Sequence, residues 1–162
     1  MMHDICQSPV SLDDDALLSE WNGMISAFLA HGTATPPLLG AVLTGAPDFA
    51  MGHAAKGLFS LMMGRRELNA VARGAGQTAV AALAASGGNT RERLWVRALG
   101  EWLDGRPSGA IAAMERILVD HPTDTLSAKV SHAIRFILGD GVGMRASIEN
   151  VLGVFVSVAV FG

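Results

Sequence analysis

Tyrosine is absent from this chain, cysteine occurs once, and only nine of the 162 residues are aromatic. Because Cys6 has no partner within the chain, a disulfide-stapled scaffold is excluded, which fits a reducing compartment. Charged residues make up 17% of the chain, the formal net charge is −3, and no basic cluster is present. A nucleic-acid-binding protein is therefore not expected, because it would need a basic surface.

Long apolar runs are missing as well. No uncharged apolar stretch reaches the ~18 residues that a membrane span requires. Residues 1–20 lack a basic segment followed by an apolar one, so no secretory signal is expected. These absences predict a cytoplasmic protein without a membrane span.

Helical periodicity is what the chain has in abundance. Apolar residues recur three and four positions apart within segments that turn signals rich in glycine and proline separate. Short turns between such segments are typical of antiparallel helical hairpins. The pattern predicts four helix pairs, with helices over about 13–31, 35–45, 48–63, 67–85, 90–105, 107–121, 124–138 and 142–152.

Glycine and proline landmarks repeat with a period of 34 residues. Gly23 and Gly57 are 34 apart, as are Gly105 and Gly139, and Pro47 and Pro122 each precede a glycine by 17. A period of this length on helical sequence indicates stacked helix-turn-helix repeats, which usually act as binding surfaces.

This register resembles the tetratricopeptide repeat, whose consensus places small residues where the two helices of a pair cross. The corresponding slot holds Gly23, Gly57, Ala98 and His132, and the turn slot holds Ala30, Gly64, Gly105 and Gly139. Gly64 and Gly105 are 41 residues apart, so seven extra residues fall in the fourth helix and in the turn at 86–89. The array is therefore a divergent one.

Several segments resemble the tetratricopeptide repeat protein 38 family more specifically, over about residues 15–152: Trp21-Asn22, 28–32, 47–50, 56–59, 64–68 and 90–93. The resemblance implies an all-α fold, a right-handed superhelical array of about four antiparallel helix pairs. Members of this family have no agreed biochemical activity, so the resemblance implies none for this chain. Since members of this family are usually longer, it also implies that the chain corresponds to an N-terminal portion.

In tetratricopeptide arrays the first helix of each pair lines the concave face. Carried over to this chain, those positions are mostly apolar and rich in methionine, which suits an amphipathic helix or an apolar segment. An apolar stripe at helical spacing is also typical of core packing. The resulting hypothesis is a protein-interaction scaffold, with a binder of a small apolar ligand or acyl chain as the alternative. The groove positions predicted to bind are Met51, Leu58, Met62, Trp95, Trp102 and Phe136.

Motifs for catalysis or metal binding are not found. The sequence has no nucleophile elbow, no phosphate-binding loop, no dinucleotide fingerprint and no His or Cys spacing typical of zinc ligands. We therefore predict no enzyme activity, no cofactor and no metal site. The expected partner is a protein or peptide, and self-association through exposed apolar faces is a further expectation.

The two ends of the chain differ from the helical region at 13–153. Residues 1–12 are irregular in pattern and predict a flexible segment. Residues 154–162 are uncharged and rich in Val and Phe, a composition that favours strands and aggregation. We interpret this tail as a product of truncation, an intrinsic C-terminal function being the alternative.

Overall fold

A computed structural model describes the backbone of residues 1–161 and the side chains of residues 1–153. Within these residues the chain is all-helical apart from a short N-terminal hairpin, as the periodicity predicts. The eight helices of the described part are α1 (Asp15–Leu29), α2 (Thr35–Gly45), α3 (Ala50–Met62), α4 (Leu68–Ser86), α5 (Thr90–Leu103), α6 (Pro107–Asp120), α7 (Thr125–Ile137) and α8 (Gly141–Phe161).

Short polar side chains begin three of these helices. The Asp14 carboxylate accepts hydrogen bonds from the backbone N–H groups of residues 16 and 17 at the start of α1. Asn89 and Glu92 form a reciprocal capping box at the start of α5, and Asp124 caps α7. Each cap satisfies donors that have no partner within the helix, which fixes where the helix begins.

Three glycines of the predicted turn slot each end a helix. Gly64, Gly105 and Gly139 follow α3, α5 and α7 with φ of +68°, +80° and +73°, the left-handed conformation that ends a helix and that glycine adopts without strain. After α1 it is His31 that takes this conformation, at φ +56°, rather than the Ala30 of the predicted turn slot.

The prolines mark a second repeated turn. Ala46 and His121 precede Pro47 and Pro122 and end α2 and α6 with nearly identical backbone angles, φ/ψ of −131°/72° and −132°/73°. A residue before proline is held away from the helical region, so each proline ends the helix before it. Pro47 and Pro122 thus follow equivalent turns.

Helices adjacent in sequence pack against one another, and the odd-numbered helices also meet. Contacts join α3 to α5 and α1 to α7. Phe28 of α1 stacks on Phe59 of α3 with ring centroids 4.3 Å apart, and Trp95 of α5 donates from Nε1 to the Ser127 hydroxyl of α7 at 3.0 Å. The inner faces of these helices therefore form the core.

Close approach of α3 and α5 depends on Gly57. A Cβ placed there would come within 2.8 Å of Leu99 Cδ1. At Gly23 a Cβ would lie 3.5 Å from Leu38 of α2, which is an ordinary contact. Of these two small-residue positions, Gly57 alone is sterically required, and it serves the crossing of α3 with α5 rather than with α4.

The N-terminal segment packs closely, in contrast to the flexible segment predicted for residues 1–12. Met2–His3 (β1) pairs antiparallel with Pro9–Val10 (β2), and the hairpin inserts its buried residues between helices. Asp4 binds Trp21 of α1 and Arg91 of α5, and the Cys6 carbonyl accepts from the Thr123 hydroxyl. The composition gives no sign of this packing because every partner is distant in sequence. The buried residues of the segment are Asp4, Cys6, Ser8, Val10 and Leu12.

Helix α8 continues well beyond residue 152, where the sequence pattern predicts its end. The predicted strand-favouring tail at 154–162 is helical in backbone up to residue 161, and its side chains lie outside the described residues. Among the described residues no helix is long and apolar enough to cross a membrane.

Candidate functional site

Three of the six predicted groove residues are core residues. Met51, Leu58 and Trp95 are each 0% exposed, so none of them can contact a partner in the folded protein. Their burial follows from the mutual packing of the odd-numbered helices, which covers the face that the resemblance predicts to be open. The prediction that these residues line an open concave face is therefore wrong.

The other three predicted residues are accessible but lie in different places. Met62 lines a large groove beside α2 and α3, and Trp102 borders a small pocket of about 200 Å³ next to α4. Phe136 is 77% exposed near the end of α7 and lines neither of these. The six residues do not form one surface.

The large groove runs between α2 and α3 and has a volume of about 1120 Å³. One wall is a face of α2 whose lining residues lie at positions 35, 36, 39, 40, 43 and 44, the spacing of a single helical face. At 1.5 Å per residue this wall is about 14 Å long, which is about two and a half helical turns. We call it the α2–α3 groove; its apolar lining consists of Phe28, Leu39, Leu43, Phe59, Met62, Met63 and Leu68.

Polar side chains in the α2–α3 groove are largely satisfied by the protein itself. The hydroxyls of Thr35, Thr44 and Ser60 donate to the carbonyls of Gly32, Gly40 and Lys56 at 3.0, 2.9 and 2.8 Å. Since the walls are helices, most of their backbone groups are also internally bonded. The surface offered to a ligand is therefore more apolar than its residue types suggest.

Lys56 carries the one formal side-chain charge among the described residues that line the groove. Lys56 is exposed on its α3 wall, His31 lies at its α1 end, and no Asp or Glu among the described residues lines it. Nearby, Lys129 of α7 donates to the carbonyl of Leu29 at 3.0 Å and lies 4.7 Å from the centre of the Phe28 ring. Burial lowers the pKa of the Lys129 ammonium. The groove is thus apolar, with one lysine exposed on its α3 wall.

Sequence reasoning missed this groove because it assigned binding to the odd-numbered helices. Leu39 and Leu43 are four residues apart on α2, and this spacing could have indicated an apolar face on that helix. Their place in a groove depends on how α2 packs against α3, which tertiary contacts determine.

A buried ionic cluster joins the N-terminal hairpin to α5 and α7. Arg91 binds Asp4 at 2.8 Å and Asp124 at 2.7 Å, with all three side chains 0% exposed. Asp4 also accepts from Trp21, and Asp124 from the Ser127 hydroxyl. With these partners and no solvent access, the cluster holds the three elements together and offers nothing to a ligand.

A second polar cluster lies where α6, α7 and α8 meet. The Glu115 carboxylate accepts from the hydroxyls of Ser131 and Ser147 at 2.7 Å each, and His132 Nε2 is 3.1 Å from the Ser147 oxygen. Since Ser147 gives its proton to Glu115, His132 acts as the donor to Ser147 and not as its base. Ser147 is 3% exposed, so this geometry anchors α8 and does not activate a nucleophile.

Among the residues that the structure describes, no group of three or more His, Cys, Asp and Glu side chains could hold a metal ion. No known protein family matches the chain in a sequence scan, and a search of solved structures finds no match. Membership of the tetratricopeptide repeat protein 38 family stays a prediction.

Proposed function

We propose that the chain is a non-catalytic helical-repeat scaffold of the cytoplasm, and that its α2–α3 groove binds one amphipathic helix of a partner protein. The observation that carries the proposal is an open groove with apolar walls and one exposed lysine, Lys56. The equivalent turns at Ala46 and His121 support a stack of four tetratricopeptide-like pairs that presents this surface.

Size favours a polypeptide over a small molecule. Pockets for small ligands measure about 300–1,000 Å³ and enclose most of the ligand. The α2–α3 groove has about 1120 Å³ and is open to solvent. Its length of about 14 Å matches about two and a half turns of a helix.

Backbone chemistry favours a helical occupant. An extended segment in this groove would leave its own N–H and C=O groups unpaired against apolar side chains, because the helical walls offer few backbone partners. A helix satisfies its own backbone and can present Leu, Ile or Phe to Phe59, Met62 and Met63. Methionine adapts to partner side chains of different shape.

Charge in the groove specifies the partner further. Lys56 is exposed on the α3 wall, and no acidic residue among the described residues lines the groove. We therefore expect the bound helix to carry Asp or Glu beside its apolar stripe. The alternative occupant is an acyl chain whose carboxylate lies near Lys56.

Selection from a library of short helical peptides tests the proposal. Enriched peptides should carry an apolar stripe with flanking acidic residues, and should shift the NMR signals of α2 and α3. Dodecanoate is tested in parallel as the probe for the alternative. Enrichment of basic peptides, signal shifts confined to other helices, or binding of dodecanoate without any peptide would each contradict the proposal.

A further inference from the structure

Helix α8 has one packed face and one free face over its described residues. Met144, Ser147 and Val151 are its less exposed positions, and the Ser147 hydroxyl binds Glu115 of α6. These residues are spaced three and four apart, so they lie on one side of the helix. Ser147, at 3% exposure, marks the centre of the packed face.

Four side chains form a stripe opposite Ser147. At about 100° per residue, Val142, Arg145, Glu149 and Leu152 lie between about 140° and 220° around the helix from it. Val142 is 85% exposed and Leu152 56%, and the side chains of Arg145 and Glu149 are 83% and 60% exposed. We call these four residues the α8 stripe.

The α8 stripe is symmetric about residue 147 in both position and chemistry. Val142 and Leu152 lie five residues before and after it, and Arg145 and Glu149 lie two before and after. If a second α8 lay antiparallel across the stripe with its centre at residue 147, each Arg145 would face a Glu149 and each Val142 a Leu152. A two-fold axis requires this kind of self-complementary surface.

We propose that the α8 stripe is a self-association surface, and that its partner is the α8 stripe of a second copy of this chain in antiparallel orientation. The charged pairs set the register and the two apolar pairs flank them. Within one chain Arg145 Nε lies 2.9 Å from Glu149 Oε1, so both groups already point along the same face. The proposal is independent of the α2–α3 groove, which other helices form.

Charge reversal in the full-length protein tests the pairing. Glu149→Arg and Arg145→Glu each place two like charges on the stripe, and each should weaken self-association by about tenfold or more, since attractive pairs become repulsive. An equimolar mixture of the two variants should associate as strongly as the wild type, because every charge then faces its opposite. The double variant should also recover. Sedimentation equilibrium over a dilution series measures the self-association of the two variants, their mixture, the double variant and the wild type.

Mixing separates this proposal from a purely intrachain role for the ion pair, since mixing cannot repair a like-charged pair within one chain. Arg116→Glu and Asp120→Arg are matched controls, because Arg116 and Asp120 form an exposed pair of the same spacing on α6. They should leave association unchanged. A wild type that stays monomeric at every concentration would overturn the proposal, as would variants that associate normally or a mixture that fails to associate.

Discussion

Arg91 has an unusual environment for an arginine, because arginine side chains are almost never fully buried unless they are paired. Its guanidinium is fully buried and bridges Asp4 of the N-terminal hairpin and Asp124 at the start of α7. A buried charge persists only when its partners compensate for lost hydration. Both partners are far away in sequence, which is why the sequence predicts neither this cluster nor the packing of residues 1–12.

Arg91→Met should lower the free energy of unfolding by about 3–5 kcal/mol, because it leaves two buried carboxylates uncompensated. Urea unfolding followed by tryptophan fluorescence measures the change. Arg116→Met, which removes an exposed ion pair on α6, is the control and should cost less than about 1 kcal/mol. Equal effects of the two substitutions would contradict the assigned role of Arg91.

His132 should make the protein less stable in mild acid. Burial lowers its pKa, Glu115 opposes that shift and Arg135 adds to it. Below about pH 6.5 the unfolded chain binds a proton that the folded protein resists, so the free energy of unfolding falls as the pH falls. Denaturation of the wild type and of His132→Gln at about pH 7.5 and about pH 5.5 should show a smaller loss in the variant. The same loss in both would show that the proton binds elsewhere.

At the scale of single helices, the boundaries follow from local chemistry and were predictable. Thr35 with two prolines begins α2, Asn89 with Glu92 begins α5, and left-handed glycines follow three of the odd-numbered helices. Pairing of the helices also followed from their short turns. The apolar stripes were compatible with either core packing or an open groove, because the burial of Met51, Leu58 and Trp95 depends on contacts among odd-numbered helices that are distant in sequence.

Gly57→Ala should destabilise the crossing of α3 and α5 by about 1–3 kcal/mol, because the added methyl overlaps Leu99 in a packed core. Gly23→Ala provides the matched control. Its methyl meets Leu38 at an ordinary distance, and alanine is the better helix former by up to about 1 kcal/mol. Thermal unfolding should therefore show a lower midpoint for the first variant only, and a lower midpoint for both would contradict the steric argument.

Across the whole molecule, packing of the odd-numbered helices converts the predicted concave face into core, and the α2–α3 groove is the surface that we propose for binding. Leu39 is 5% exposed and supports the groove from below, whereas Met63 is 60% exposed on its edge. Because Met63 is exposed, it can be substituted without unfolding the protein. The sequence supplies the residue types that line this groove, but it does not show how α2 and α3 pack to form it.

Substitution of Met63 tests the central claim most directly. Val80 on α4 is 61% exposed and lies outside the groove, so Val80→Lys matches Met63→Lys in chemistry and exposure. Isothermal titration with an acidic amphipathic peptide selected on the wild type should show about tenfold weaker binding to Met63→Lys, because the change removes an apolar contact and places a charge at the interface. Val80→Lys should bind as the wild type does. Equal affinity of both variants for the peptide would contradict a binding function of the α2–α3 groove.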